Sequence, residues 1–272
     1  MIRLASPRRA FTLVELIVVV AVIAILATLI LAGVQSVRRQ AGATHSASNI
    51  RTLAQANIAY LAENGRYCPA DDRRNKRRWH GARRSVTGIF DPADGFLAPY
   101  LGKSRRVTPC PVFQDMLKGD HSFEEGAGGY GYNGSYIGGT PGGQWNSDGT
   151  RVSAVAAMVE RPARTVMFTS SAYARLAGLQ EYPFCEPPFW DLGQGPSGYR
   201  PAPTVHFRFG GKALVAWCDG HVSYEARQER PEGDNPHGGQ GWRKDLGWFG
   251  PDDDNGYWNP RAELHRGNAT AR

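Results

Sequence analysis

The sequence predicts an α+β fold: one long N-terminal α-helix, membrane-spanning in its first half, packed on an antiparallel β-sheet that carries long loops. Three observations predict it. Residues 11–33 form an apolar run whose only polar side chains are Thr12, Glu15 and Thr28. Residues 34–64 contain no proline, and their later apolar side chains recur at helical spacing. Farther on, "KALVAWCDGHVSYEA" (Lys212–Ala226) alternates on both sides of an Asp-Gly pair, as a β-hairpin does.

The first element is the apolar run. As a helix its 23 residues reach about 34 Å, enough to cross a hydrocarbon layer of about 30 Å. A secretory signal core is shorter than this. Arg3, Arg8 and Arg9 precede the run and supply three of the seven net positive charges of the chain. By the positive-inside rule they hold the N-terminus on the cytoplasmic side, with a single pass and the remainder outside. The paired arginines of "SPRRAF" also fit a twin-arginine export signal, and a plain anchor accounts for the run but not for Glu15.

The second element continues the first. Ile50, Leu53, Ala54, Ile58 and Leu61 share one helical face, with Arg51, Gln55 and Glu63 opposite. "ENGRY" (Glu63–Tyr67) followed by Pro69 is a stop signal. The segments are therefore a basic leader (1–10), a spanning helix (11–33), an amphipathic continuation (34–64) and a globular region (65–272).

The third element is the sheet. "RTVMFTSSA" (Arg164–Ala172) has the β-branched content of a buried strand. In the hairpin, Asp219-Gly220 is expected to form a type I′ turn. High glycine and proline content (33 and 18 residues) predicts long loops elsewhere.

Several patterns invite a chemical reading. "GAGGYG" (Gly126–Gly131) matches the dinucleotide fingerprint formally, but neither a strand before it nor a helix after it is expected. Seven basic residues lie between positions 71 and 84 (Arg73, Arg74, Lys76, Arg77, Arg78, Arg83, Arg84); without interleaved aromatics they read as a solvated loop, not a nucleic-acid site. His206, Asp219, His221, Ser170 and Ser171 lack a nucleophile elbow, so no enzyme is expected. Cys68, Cys110, Cys185 and Cys218 show no CxxC spacing. In an exported chain they allow disulfides in three pairings; in a reducing compartment they stay thiols. "PDDDNGYW" (Pro251–Trp258) gathers Asp252, Asp253, Asp254 and Asn255, hard oxygen donors suited to Ca²⁺ or to a solvated acidic turn.

"AFTLVE" (Ala10–Glu15) resembles the prepilin signal of type IV pilins and type II secretion pseudopilins, although those usually have Gly where this chain has Ala10. The resemblance implies cleavage by prepilin peptidase between Ala10 and Phe11, N-methylation of Phe11, and retention of Glu15 as the fifth mature residue. It also implies that Glu15 sets register in a filament by pairing with the Phe11 amine of a neighbouring copy. The implied partners are other pilins or pseudopilins, membrane lipid and an inner-membrane assembly platform; the implied place is the bacterial inner membrane, then a periplasmic or surface filament. A C-terminal calcium loop would follow the major pseudopilins. Along the body, "CPVF", "GGYGYNGSYIGG", "RPARTVMFTSSA" and "GGKALVAWCDGHV" resemble, in order, landmarks of a bacterial pilin-like group. Where that group has a histidine ten residues before the turn Asp, this chain has Phe209. The competing expectation is a membrane-anchored extracytoplasmic binding protein that does not polymerise.

Overall fold

The computed structural model describes residues 12–117, 124–193, 196–231, 233, 235 and 238–261. Helix α1 runs over Leu13–Asn64. Contacts divide the chain into a unit over Met1–Gly42 and a unit over Ala43–Arg272, described in turn. The first is helical from Leu13 onward, and its large apolar side chains from Leu13 to Ile30 are exposed.

In the second unit, α1 buries Ser46, Ile50, Leu53, Ala54 and Asn57, while Arg51, Gln55 and Glu63 stay exposed. Ile58 and Leu61 pack against the same core at its margin. The helix stops where the sequence said it would: Gly65 takes φ 71° and its N–H donates to Leu61 O at 2.9 Å. Asn57 then receives the outgoing chain, its Oδ1 accepting from Cys68 N at 2.8 Å.

The strands are β1 (Arg77–Arg78), β2 (Gly81–Ala82), β3 (Tyr130–Tyr132), β4 (Val166–Ser170), β5 (Tyr173–Arg175), β6 (Gly178–Gln180), β7 (Val205–His206), β8 (Lys212–Trp217), β9 (Val222–Ala226) and β10 (Leu246–Gly247). A four-stranded antiparallel sheet of order β3-β4-β8-β9 forms the centre, with Phe168 opposite both Tyr132 and Ala216. The others pair as two-stranded ribbons, β1-β2, β5-β6 and β7-β10.

Strand periodicity divides β8 between two cores. Leu214 and Ala216 join Ile50, Leu53 and Phe168 on one side. Ala213, Val215 and Trp217 join Trp248, Phe249 and Trp258 on the other. The second face is covered by irregular chain, whose buried backbone needs hydrogen-bond partners that no helix or strand ladder supplies. Asn133 provides such partners: its Nδ2 donates to Val166 O and Trp258 O, each at 2.9 Å, and its Oδ1 accepts from Tyr136 N.

Three expectations are corrected here. The hairpin turn is not type I′, because Gly220 (φ 89°) has a positive φ and Asp219 does not. Gly220 N closes the turn on Trp217 O, and Trp217 N pairs with His221 O, one residue more than a two-residue loop holds. The glycine-rich stretch, which its composition assigns to the long loops, holds strand β3 at Tyr130–Tyr132. The basic run is not wholly solvated: Arg78 and Arg83 are buried, Arg78 on Glu124 at 2.5 Å and Arg83 over the ring of Phe90.

Trp79 links this basic segment to the core. It is fully buried, contacts Tyr132 and Phe168 edge-on, and donates from Nε1 to Pro183 O at 2.8 Å. Trp79→Ala is expected to destabilise the fold by about 3–5 kcal/mol through cavity formation, and to leave Pro183 O with Tyr132 N as its remaining donor. Chemical denaturation followed by fluorescence checks this; an unchanged midpoint would contradict the packing described.

Candidate functional site: the N-terminal helix

An apolar helix exposed along 18 residues, Leu13–Ile30, is long and apolar enough to cross a membrane. Within such a span each polar group must be satisfied locally, because the surroundings offer no donor or acceptor. The two polar side chains in this stretch meet that condition. Thr28 Oγ1 donates to Ile25 O at 2.7 Å, one turn back.

Glu15 is held by a capping box. Thr12 stands at the N-cap, where its N and its Oγ1 both donate to Glu15 Oε2 at 2.9 Å. Glu15 N returns a bond to Thr12 Oγ1 at 3.2 Å. The carboxylate thus lies in the first helical turn, where orphan amides and the helix dipole favour negative charge. Thr-x-x-Glu is a readable capping signature, and the sequence reading, occupied with Glu15 as a charge for a neighbour, passed over Thr12. Ala10 and Phe11, the expected cleavage and methylation positions, lie outside the described residues.

A family model described as the prokaryotic N-terminal methylation motif matches residues 6–31. It covers the paired arginines, the expected scissile bond, Glu15 and nearly the whole apolar run. The chain carries a prepilin-type methylation signal. No curated protein and no solved structure matches the chain. Such a signal is that of processed, type IV pilin-like precursors, which are structural proteins and not enzymes, and the apolar helix under it has the length and composition of a membrane anchor.

Beyond the prepilin-type signal, the residues singled out in the body are not brought to one place. Asp219 accepts from His221 Nδ1 at 2.6 Å at the hairpin tip. Trp217 pairs with Val166, so Ser170 lies four residues along β4 from that end, about 13 Å away. His206 is buried and joins Ser170 through its backbone carbonyl, not its ring. In the glycine-rich loop, Gly126 N and Gly128 N both donate to Glu181 Oε2 at 3.0 Å, so these amides already hold a carboxylate of the chain itself.

The acidic loop disperses. Asp253 pairs with Arg200 at 2.7 Å and faces Arg230 at 3.6 Å, Asp254 Oδ1 accepts from Gly256 N, and Asn255 is buried on Phe189 and Tyr136. Asp252 is exposed, with Arg230 on its carbonyl. Among the described residues no three His, Cys, Asp or Glu side chains form a metal-ligating group.

The cysteines expected to allow disulfides are four free, buried thiols. Each has its own surroundings: Cys68 on Pro69 O, Cys110 beside Ser46 Oγ at 3.1 Å, Cys185 next to Trp258, Cys218 against Tyr67. Burial pushes the thiols of Cys68, Cys185 and Cys218 up, which suppresses the reactive thiolate. Iodoacetamide is expected to leave these thiols unmodified in the native protein and to label all four in denaturant without prior reduction. A mass shift requiring a reductant would restore a disulfide.

Proposed function

We propose that this chain is the precursor of a structural subunit of a type II secretion pseudopilus or type IV pilus-like filament. The observation that carries the reading is the methylation motif, lying over an exposed apolar helix with Glu15 in its first turn. In this reading the chain inserts once into the bacterial inner membrane with its body outside the cytoplasm. Prepilin peptidase cuts between Ala10 and Phe11, and Phe11 is methylated. Copies then leave the bilayer through an assembly platform and pack by their apolar helices with one another or with other pilins. Glu15 favours one stagger of subunits, because a buried carboxylate is stabilised by the Phe11 amine of a neighbour.

The capping box favours a second reading. A carboxylate already bonded within its own helix needs no neighbour, so the chain would serve as an anchored extracytoplasmic protein that does not polymerise. Glutamine separates the two, since it keeps the acceptor of a capping box and loses the charge. Glu15→Gln is expected to insert and be cleaved like the parent, yet to assemble poorly. Full assembly by Glu15→Gln would leave Glu15 a helix cap and favour the anchor. Mass analysis of the mature N-terminus is expected to show Phe11 one methyl group heavier; an intact Met1 or a cut elsewhere would overturn the proposal.

A further inference from the structure

A cleft of about 320 Å³ opens in the body beside the segment Tyr182–Glu186, at the small end of the roughly 300–1,000 Å³ typical of ligand sites. Its floor follows strand periodicity. Tyr182, Phe184 and Glu186 line the cleft, whereas Pro183 and Cys185 between them are buried on the opposite side. Three indoles from distant parts of the chain fix this segment. Trp79 donates to Pro183 O at 2.8 Å, Trp258 to Cys185 O at 3.2 Å and Trp248 to Glu186 O at 3.1 Å. Tyr132 adds two backbone bonds, its N to Pro183 O and its O from Cys185 N, each at 2.9 Å.

The rim adds a pair of aromatic rings. Trp190 is 43% exposed and Tyr199 41%, with ring centroids 5.2 Å apart. Their loop is closed on itself: Trp190 N donates to Tyr199 O, and Ser197 Oγ to Trp190 O. The rings are inclined at 54°, so each offers its own apolar surface, and that of Trp190 lies half-exposed at the mouth of the polar cleft.

The polar lining mixes donors and acceptors. Asp71 and Arg151 form a two-point pair (2.5 and 3.1 Å) that cancels in charge, with the Arg151 guanidinium over the ring of Trp145. Glu186 accepts from Tyr182 OH at 2.9 Å, and burial raises its pKa, so a proton stays on it more readily. Asp191 Oδ2 accepts from Tyr136 OH, and beyond Asp191 a second cleft of about 440 Å³ presents Thr140, Gln144, Asn259 and Arg261. Asp71 and Arg151 neutralise one another and Glu186 favours its proton, so the charge left along the two clefts is Asp191 between them and Arg261 in the second, one of each sign. A ring with an apolar C–H face and hydroxyls that both donate and accept suits stacking on Trp190 and bonding to these planar groups.

We infer that the paired clefts bind a neutral oligosaccharide, one sugar ring stacking on Trp190 and the chain continuing past Asp191. The inference does not depend on filament assembly, because every residue used lies in the body.

The test uses the full chain in an amine-oxide detergent, which carries no sugar head group. Cellohexaose, maltohexaose, xylohexaose and mannohexaose are titrated by calorimetry, with hexagalacturonate and spermine as charged comparators. At least one neutral hexaose is expected to bind. Trp190→Ala should weaken it tenfold or more, Trp190→Phe should restore most of the affinity, and Trp242→Ala, exposed in another groove, should change nothing. Absence of binding by every neutral sugar, preference for either charged probe, or equal binding by a folded Trp190→Ala would each overturn the assignment.

Discussion

The central sheet has two apolar faces, and the rest of the body follows from the need to cover both. A four-stranded antiparallel sheet commonly leaves one face to water. Here β8 sends Leu214 and Ala216 one way and Val215 and Trp217 the other, and both sets are buried. The helix stretch from Ser46 to Leu61 covers the first face. No second helix of comparable length is present among the described residues to cover the other, so irregular chain carrying Trp248, Phe249 and Trp258 does so.

Covering a sheet with loops has a cost that a helix avoids. Each buried N–H and C=O needs a partner, and irregular chain supplies none automatically. The body meets this demand with side chains that bond to backbone. Asn133 joins β4 to the C-terminal region, Asn57 receives the helix exit, and three tryptophan indoles hold residues 183–186. The same solution explains why the segment carrying Tyr182, Phe184 and Glu186 is well placed to be a binding floor. Trp79, Trp248, Trp258 and the backbone of Tyr132 all bond to it.

The N-terminal helix obeys the same rule in an apolar setting. Thr28 bonds back to its own helix, and Glu15 is capped by Thr12. A lone carboxylate near a membrane core costs about 2.5–3.5 kcal/mol at the centre, less toward the end. In the filament reading, hydrogen bonds from Thr12 would reduce the cost of carrying Glu15 through insertion, and its charge would stay available for an amine in the assembled state. Capping and register are therefore successive uses of one side chain in the filament reading.

Strong local periodicity was legible in the sequence. The apolar run, the stripe Ile50-Leu53-Ala54 with its stop at Gly65, strand β4 and the alternation of the β8-β9 hairpin were all set by local spacing, and so was the α+β class, whereas the hairpin's turn type was not. The methylation signal is likewise local, a matter of residue types in order. What the tertiary structure alone decided are the partners of polar groups and thiols. Arg78 leaves solvent because Glu124 comes to it from 46 residues away. Asp253 turns to Arg200 across 53 residues, and the four cysteines remain apart in separate packing environments. The cleft beside Glu186 is assembled from four stretches of chain. Periodicity acts between neighbours in sequence, whereas electrostatic pairing and burial act between neighbours in space, and only folding makes the second kind.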